Sequence, residues 1–121
     1  MNSNLAPGAV LKLENSIVMG DPLATEPACV NVEASADNGY NADNDGSCNF
    51  SAVNHSLSDN AGINLGSLAN NGGSTLTIGF SWGSSAIGSI PLGVNRCGGI
   101  TDQRGIFPCA IAAPLRPRKS A

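Results

Sequence analysis

Apolar and polar positions alternate over short distances along this chain, and no stretch keeps the i, i+3, i+4 spacing of an amphipathic helix. In VLKLENSIVMG, Leu11 and Leu13 fall on one side and Lys12 and Glu14 on the other. CVNVEA sets Val30 and Val32 against Asn31 and Glu33, and LTIGF sets Leu76, Ile78 and Phe80 against Thr77 and Gly79. A period of two over four to eight residues predicts strands. SAIGSIPL is a weaker fourth candidate. Turn residues separate these runs: Asn38-Gly39 and Asp45-Gly46 in ADNGYNADNDGSC, and Asn70 to Gly73 in LANNGGSTL, which predicts a tight reversal into the LTIGF strand.

Composition sharpens the picture. The 121 residues suit one domain, and 41% apolar residues suffice for a core, yet aromatics are 4% and charged residues 12%. The polar surface therefore falls to Asn, Ser, Thr and Gly, as in a secreted β protein. Lys12 is the single basic residue of positions 1–95, whereas positions 96–121 hold five, ending in LRPRKSA. That tail reads as a solvated segment. No aromatic-rich basic patch accompanies it, so nucleic acid is not an expected partner. No apolar run reaches the length of a membrane span, and the first residues carry no export signal.

Four cysteines, Cys29, Cys48, Cys97 and Cys109, include no C-x-x-C pair, and His55 lacks ligand-like spacing to them. A zinc site is not expected. An even count suits disulfides in an oxidising compartment. Three pairings are open, and the simplest joins sequential neighbours, Cys29–Cys48 and Cys97–Cys109.

Several motifs invite chemistry and fall short. GFSWG, Gly79 to Gly83, matches a nucleophile elbow, but the residues after Ser81 are poor helix formers and His55 precedes the serine. NADNDGS resembles half a calcium loop through Asn41, Asp43 and Asp45, yet the position that needs a glutamate is Ala52. Asp residues in such a turn usually satisfy their own backbone. His55, Ser56 and Asp59 lie in one loop without the packed scaffold a triad requires. Asn49 and Asn54 match the glycosylation acceptor pattern, which matters only in a eukaryotic secretory route. No catalytic residue, cofactor site or metal site is expected.

Three segments together resemble one family. LENSIVMG at 13–20, GYNADNDGSCNF at 39–50, and LGSLANNGGSTLTIGFSWGSSAIGSI followed by CGGITDQRG are similar, in that order, to the C-terminal region of secreted bacterial right-handed parallel β-helix surface proteins, of the choice-of-anchor Q and polymorphic outer-membrane-like kinds. The departures are Gly88 where the family has Asp in its AID motif, and CAIAAPL from Cys109 in place of the family's closing pattern.

The resemblance implies an all-β fold: a fragment of a right-handed parallel β-helix, a solenoid, with terminal coils over 1–95, a disulfide-tied cap turn over 96–110 and a basic flexible tail over 111–121. Asp102, Gln103, Arg104 and Gly105 would form the cap between Cys97 and Cys109, with Arg104 as a structural lock. The implied function is a non-catalytic structural or adhesive segment of a secreted or cell-surface protein. The runner-up is the non-catalytic end of a β-helical polysaccharide lyase or glycoside hydrolase. Implied partners are upstream coils of the same protein and a cell-surface or polysaccharide ligand. An isolated chain would leave Leu11, Leu13, Ile17 and Val18 uncovered and self-associate, and the export signal would lie upstream.

Overall fold

The computed structural model describes residues 6–107, the side chain of Ser35 aside. The chain divides into two compact units, one within Met1–Ile63 and one within Asn64–Ala121. Regular structure is sparse: β1 (Ile17–Val18), β2 (Ala42–Asp43), β3 (Leu65–Ala69), β4 (Thr77–Phe80) and single 3₁₀ turns at Ala34–Ala36 and Ala52–Asn54.

In the first unit three stretches run side by side in the same direction. β1 pairs with β2 in parallel, Ile17 opposite Ala42 and Val18 opposite Asp43. Single bridges add Leu13 opposite Asp37 and Ala42 opposite Leu57. Backbone bonds zip them together: Leu13 N donates to Ala36 O at 2.8 Å, Ala42 N to Ser16 O at 2.9 Å, and Asp43 N to Leu57 O at 2.9 Å. The strands stop after two residues because left-handed backbone interrupts them. Asn15 and Tyr40 have φ of 51° and 55°, and His55 and Asp59 have φ of 60° and 50°. Asparagine and aspartate tolerate this conformation better than most residues.

This architecture corrects the solenoid expectation. A β-helix repeats one coil, so each rung lies a constant number of residues from the next and encloses a stacked apolar interior. Here Ile17 and Ala42 are partners but the next rung, Leu57, follows far sooner in sequence. Asp37, Asn41 and Asp43 are buried beside that ladder. The chain then turns into an antiparallel hairpin, β3 with β4. Among the described residues the fold is low in helix, has short strands in two two-stranded sheets, and is not a β-helix.

The core of the first unit is Ala28, Cys29, Val32, Ala36, Cys48 and Phe50, with Leu11, Leu13 and Val18 packed against it. The expected exposure of an open N-terminal coil is thus corrected for those three residues, and Ile17 alone of the four stays on the surface. The Cys29–Cys48 disulfide crosses this core. Closing a loop of 19 residues contributes about 3 kcal/mol on the chain-entropy account, a large share where small side chains dominate the interior. Val32 is buried as its alternation predicts, but Asn31 takes φ of 55° and no strand forms there.

In the second unit, β3 and β4 are joined through Asn70–Leu76. Leu65 faces Phe80, Leu68 faces Ile78 and Ala69 faces Thr77, with a bulge between Leu65 and Leu68. Asn71 closes the reversal: its Nδ2 donates to Thr77 O at 2.8 Å and Thr77 Oγ1 at 3.0 Å. SAIGSIPL is not a strand but a series of turns, with Ile87 N donating to Ser84 O and Ser89 N to Ala86 O. Among the described residues no helix is long and apolar enough to cross a membrane.

Candidate functional site

The densest polar constellation lies in the Asn/Asp-rich stretch between the two 3₁₀ turns and just beyond. Asp37 is buried, and its carboxylate collects five donors. Oδ1 accepts from Gly39 N at 3.1 Å, Asn41 Nδ2 at 2.9 Å and Ser56 Oγ at 2.7 Å. Oδ2 accepts from Ser51 N at 2.8 Å and Asn54 Nδ2 at 3.3 Å. Burial opposes its ionised form, but the bonds from Ser51, Ser56, Asn41 and Gly39 prevail and hold its pKa below the ordinary value.

Asn41, 1% exposed, spans two neighbouring segments with both ends of its amide. Oδ1 accepts from Ser16 N at 3.0 Å, and Nδ2 donates to Leu13 O at 2.8 Å as well as to Asp37. Its own backbone N donates to Ser56 Oγ at 3.0 Å. Asp43, fully buried, accepts three backbone N–H bonds: Oδ1 from Asp59 at 2.8 Å and Gly46 at 3.3 Å, Oδ2 from Cys48 at 3.0 Å. Asn44 grips Gly20 at both backbone atoms, accepting from its N at 2.7 Å and donating to its O at 3.0 Å. Asp45 Oδ2 accepts from Ala28 N at 2.8 Å. That bond and the Ser47 hydroxyl depress its pKa.

Side-chain amides and carboxylates here do what a strand ladder does elsewhere: they satisfy backbone groups that the broken strands leave over. Among the described residues no buried side-chain nitrogen or oxygen lacks a partner. At the half calcium loop, the Asp43 and Asp45 carboxylate oxygens accept from backbone N–H groups of Asp59, Gly46, Cys48, Ala28 and Ser47. The shallow depression lined by Gly20, Pro22, Glu26, Asn44 and Asp45 has Asn44 and Asp45 engaged in the same way.

The other candidates do not converge on a reactive centre. Ser56 is buried on Asp37, while the neighbouring His55 is exposed and stacks on Tyr40, with ring centroids 5.1 Å apart. Asp59 is exposed and turns its backbone, not its carboxylate, to Asp43. Ser81 follows β4 in a turn, its N donating to Asn64 O and its O accepting from Ser84 N. The glycosylation pattern meets a structural obstacle. Asn49 Nδ2 donates to Val32 O at 2.6 Å and Asn54 Nδ2 to Asp37 O at 3.1 Å, so both acceptor nitrogens are engaged with backbone carbonyls.

The expected cap turn is organised by Asp102. Its Oδ1 accepts from Arg104 N at 2.8 Å and Ile106 N at 3.1 Å. Its Oδ2 accepts from Arg104 Nε at 2.8 Å and Arg104 Nη2 at 2.5 Å. Backbone bonds between Asp102 and Ile106 and between Gly105 and Asp102 close the turn, and Gly105 takes φ of 79°. The Arg104 guanidinium is the main reason the Asp102 carboxyl titrates below its ordinary value. Gln103 Nε2 lies 3.5 Å from Leu76 O. Cys97 is buried and is not a free thiol. Cys109 and the tail over 111–121 lie outside the described residues, as therefore does the expected Cys97–Cys109 pairing.

What sequence reading missed is Asp37, Asn41 and Ser56 as a buried network. The local signal was the density of Asn and Asp in ADNGYNADNDGSC, which includes Asp37 and Asn41 but not Ser56. No family model matches this chain, and no curated protein and no solved structure matches it.

Proposed function

We propose that this chain is a non-catalytic structural or adhesive segment of a surface protein that works outside the reducing cytoplasm. The observation that carries the reading is the fate of its polar side chains. Asp37, Asn41, Asp43 and Ser56, the groups best suited to acid–base or nucleophilic work, are buried and spent on backbone hydrogen bonds. A reactive centre needs such groups turned toward a substrate. The Cys29–Cys48 disulfide inside the core favours an oxidising compartment. An Asn/Ser/Thr/Gly surface with few charges suits contact with neutral polysaccharide or another cell-surface polymer.

The test is a panel of insoluble and soluble polysaccharides incubated with the oxidised full chain. Retention on one or more polymers, without release of reducing ends or unsaturated products, is the expected result. Product release that tracks with the purified chain would overturn the reading.

A further inference from the structure

The second unit exposes a continuous apolar face. Leu65 opposite Phe80 and Leu68 opposite Ile78 put four large side chains on one side of the β3–β4 hairpin, because directly opposed residues share a face. Leu76, immediately before β4, and Trp82, in the turn just after it, are large apolar side chains that are exposed as well. Their exposures are 61% for Leu68, 56% for Leu76 and Ile78, 50% for Phe80 and 63% for Trp82. The alternation that predicts a strand in LTIGF therefore points its apolar side outward.

Two further observations bear on what covers this face. Among the described residues β3 and β4 pair only with each other, and a lone two-stranded hairpin is marginal in water without a third strand or a packed layer. Residues 60–95 contain no Asp, Glu, Lys or Arg. The hairpin itself thus has neither the charges that normally blunt a sheet edge nor any that would select a charged partner, and Asp102 and Arg104 beside its reversal pair with each other. Two such faces brought together carry no like-charge repulsion.

We infer that the occupant is a second copy of this chain, seated face to face across a two-fold axis with its own β3–β4 hairpin. Sheets packed this way lie ~10 Å apart with interdigitated side chains. In an antiparallel arrangement, Phe80 of one copy covers Leu76 of the other and the Leu68–Ile78 pairs meet at the axis, so each contact occurs twice. If each of the five exposed side chains offers roughly 100–150 Å², the pair removes ~1,100 Å² from water, enough for a specific though modest interface. The association is therefore closed at two copies and concentration-dependent.

Sedimentation analysis of the oxidised full chain over a concentration series tests this. The mass is expected to rise from one chain of 12.2 kDa toward two and to plateau there. The single tryptophan reports the location: Trp82 emission should shift to shorter wavelength over the same concentrations. Ile78→Lys and Ile78→Glu should each halve the plateau mass, and an equimolar mixture of the two should restore it. Leu23→Lys, at an exposed site in the first unit, should leave it unchanged. A wild-type monomer throughout, mass growth without plateau, doubling with no Trp82 shift, or pairing only when another macromolecule is added would each overturn the inference. So would an Ile78→Lys chain that still pairs.

Discussion

Gly73 lies so close to Arg104 that a β-carbon built on it would stand 2.8 Å from the Arg104 α-carbon and 3.3 Å from the Gln103 carbonyl oxygen. The reversal between β3 and β4 and the Asp102 turn are therefore in backbone contact. Gly73 also has φ of 78°, a region where a β-carbon adds strain. Gly72, with φ of 100°, has open space around it.

Gly73→Ala is accordingly expected to cost more than Gly72→Ala. The latter meets conformational strain alone, about 1–2 kcal/mol. The former adds a collision with backbone that cannot rotate away. Amide exchange at β4 and at residues 102–106 should speed up together in Gly73→Ala and stay uncoupled in Gly72→Ala. Equal effects of the two substitutions would show that the contact does not join these segments.

The Asp102 turn separates two roles. Arg104→Lys keeps the charge but loses the two guanidinium N–H bonds to Asp102 Oδ2, and a solvent-screened ion pair of this kind contributes little. Asp102→Ala removes the acceptor for the Arg104 and Ile106 backbone N–H groups as well. The melting temperature should fall slightly for the first substitution and clearly for the second. A larger loss in Arg104→Lys would return the structural role to the arginine.

Replacing both cysteines in Cys29→Ala/Cys48→Ala is expected to destabilise the first unit by about 3 kcal/mol, plus the packing lost around two buried sulfurs. Urea unfolding followed in that unit should show the midpoint fall and the slope rise, because the denatured chain without the cross-link exposes more surface. An unchanged midpoint would mean that the polar network alone holds the segments together.

Asp37 makes the first unit acid-sensitive. Its folded pKa lies below the ordinary 3.8, so the folded state binds fewer protons than the unfolded state in this range. The stabilisation is fully present above the unfolded value and is lost as pH falls through the folded one. Asp45 shifts in the same direction and adds to the effect. Stability should be level near neutrality and decline below about pH 4. Asp37→Asn should lower stability at neutral pH by about 1–3 kcal/mol, because an amide cannot accept all five donors, and should flatten the acid decline. Denaturant midpoints measured from neutral to acid pH check both expectations.

Some of this molecule is legible without any tertiary information. The Asn70 to Gly73 reversal and the strand at Thr77–Phe80 follow from turn chemistry and alternation, which act over a few residues. The Cys29–Cys48 bond is part of the simplest of the three pairings the sequence leaves open, and the structure shows it. The coarse character, low in helix with short strands, follows from Gly, Asn and Pro spaced too closely for long elements.

What lies beyond that depends on partners far along the chain. Asn41 is a core residue because Ser16, 25 positions earlier, and Ser56, 15 positions later, meet its amide and backbone. By composition the same asparagine belongs to a solvated loop. Burial of an amide or carboxylate is favourable only when every donor and acceptor is met, and that condition is global. The solenoid expectation fails for the same reason: local motifs do not specify how many residues separate one rung from the next. Alternation in Leu76, Ile78 and Phe80 determined that one face of the strand would be apolar. Only the tertiary structure decided that the described residues leave this face exposed, because covering it takes a second layer that no local pattern supplies.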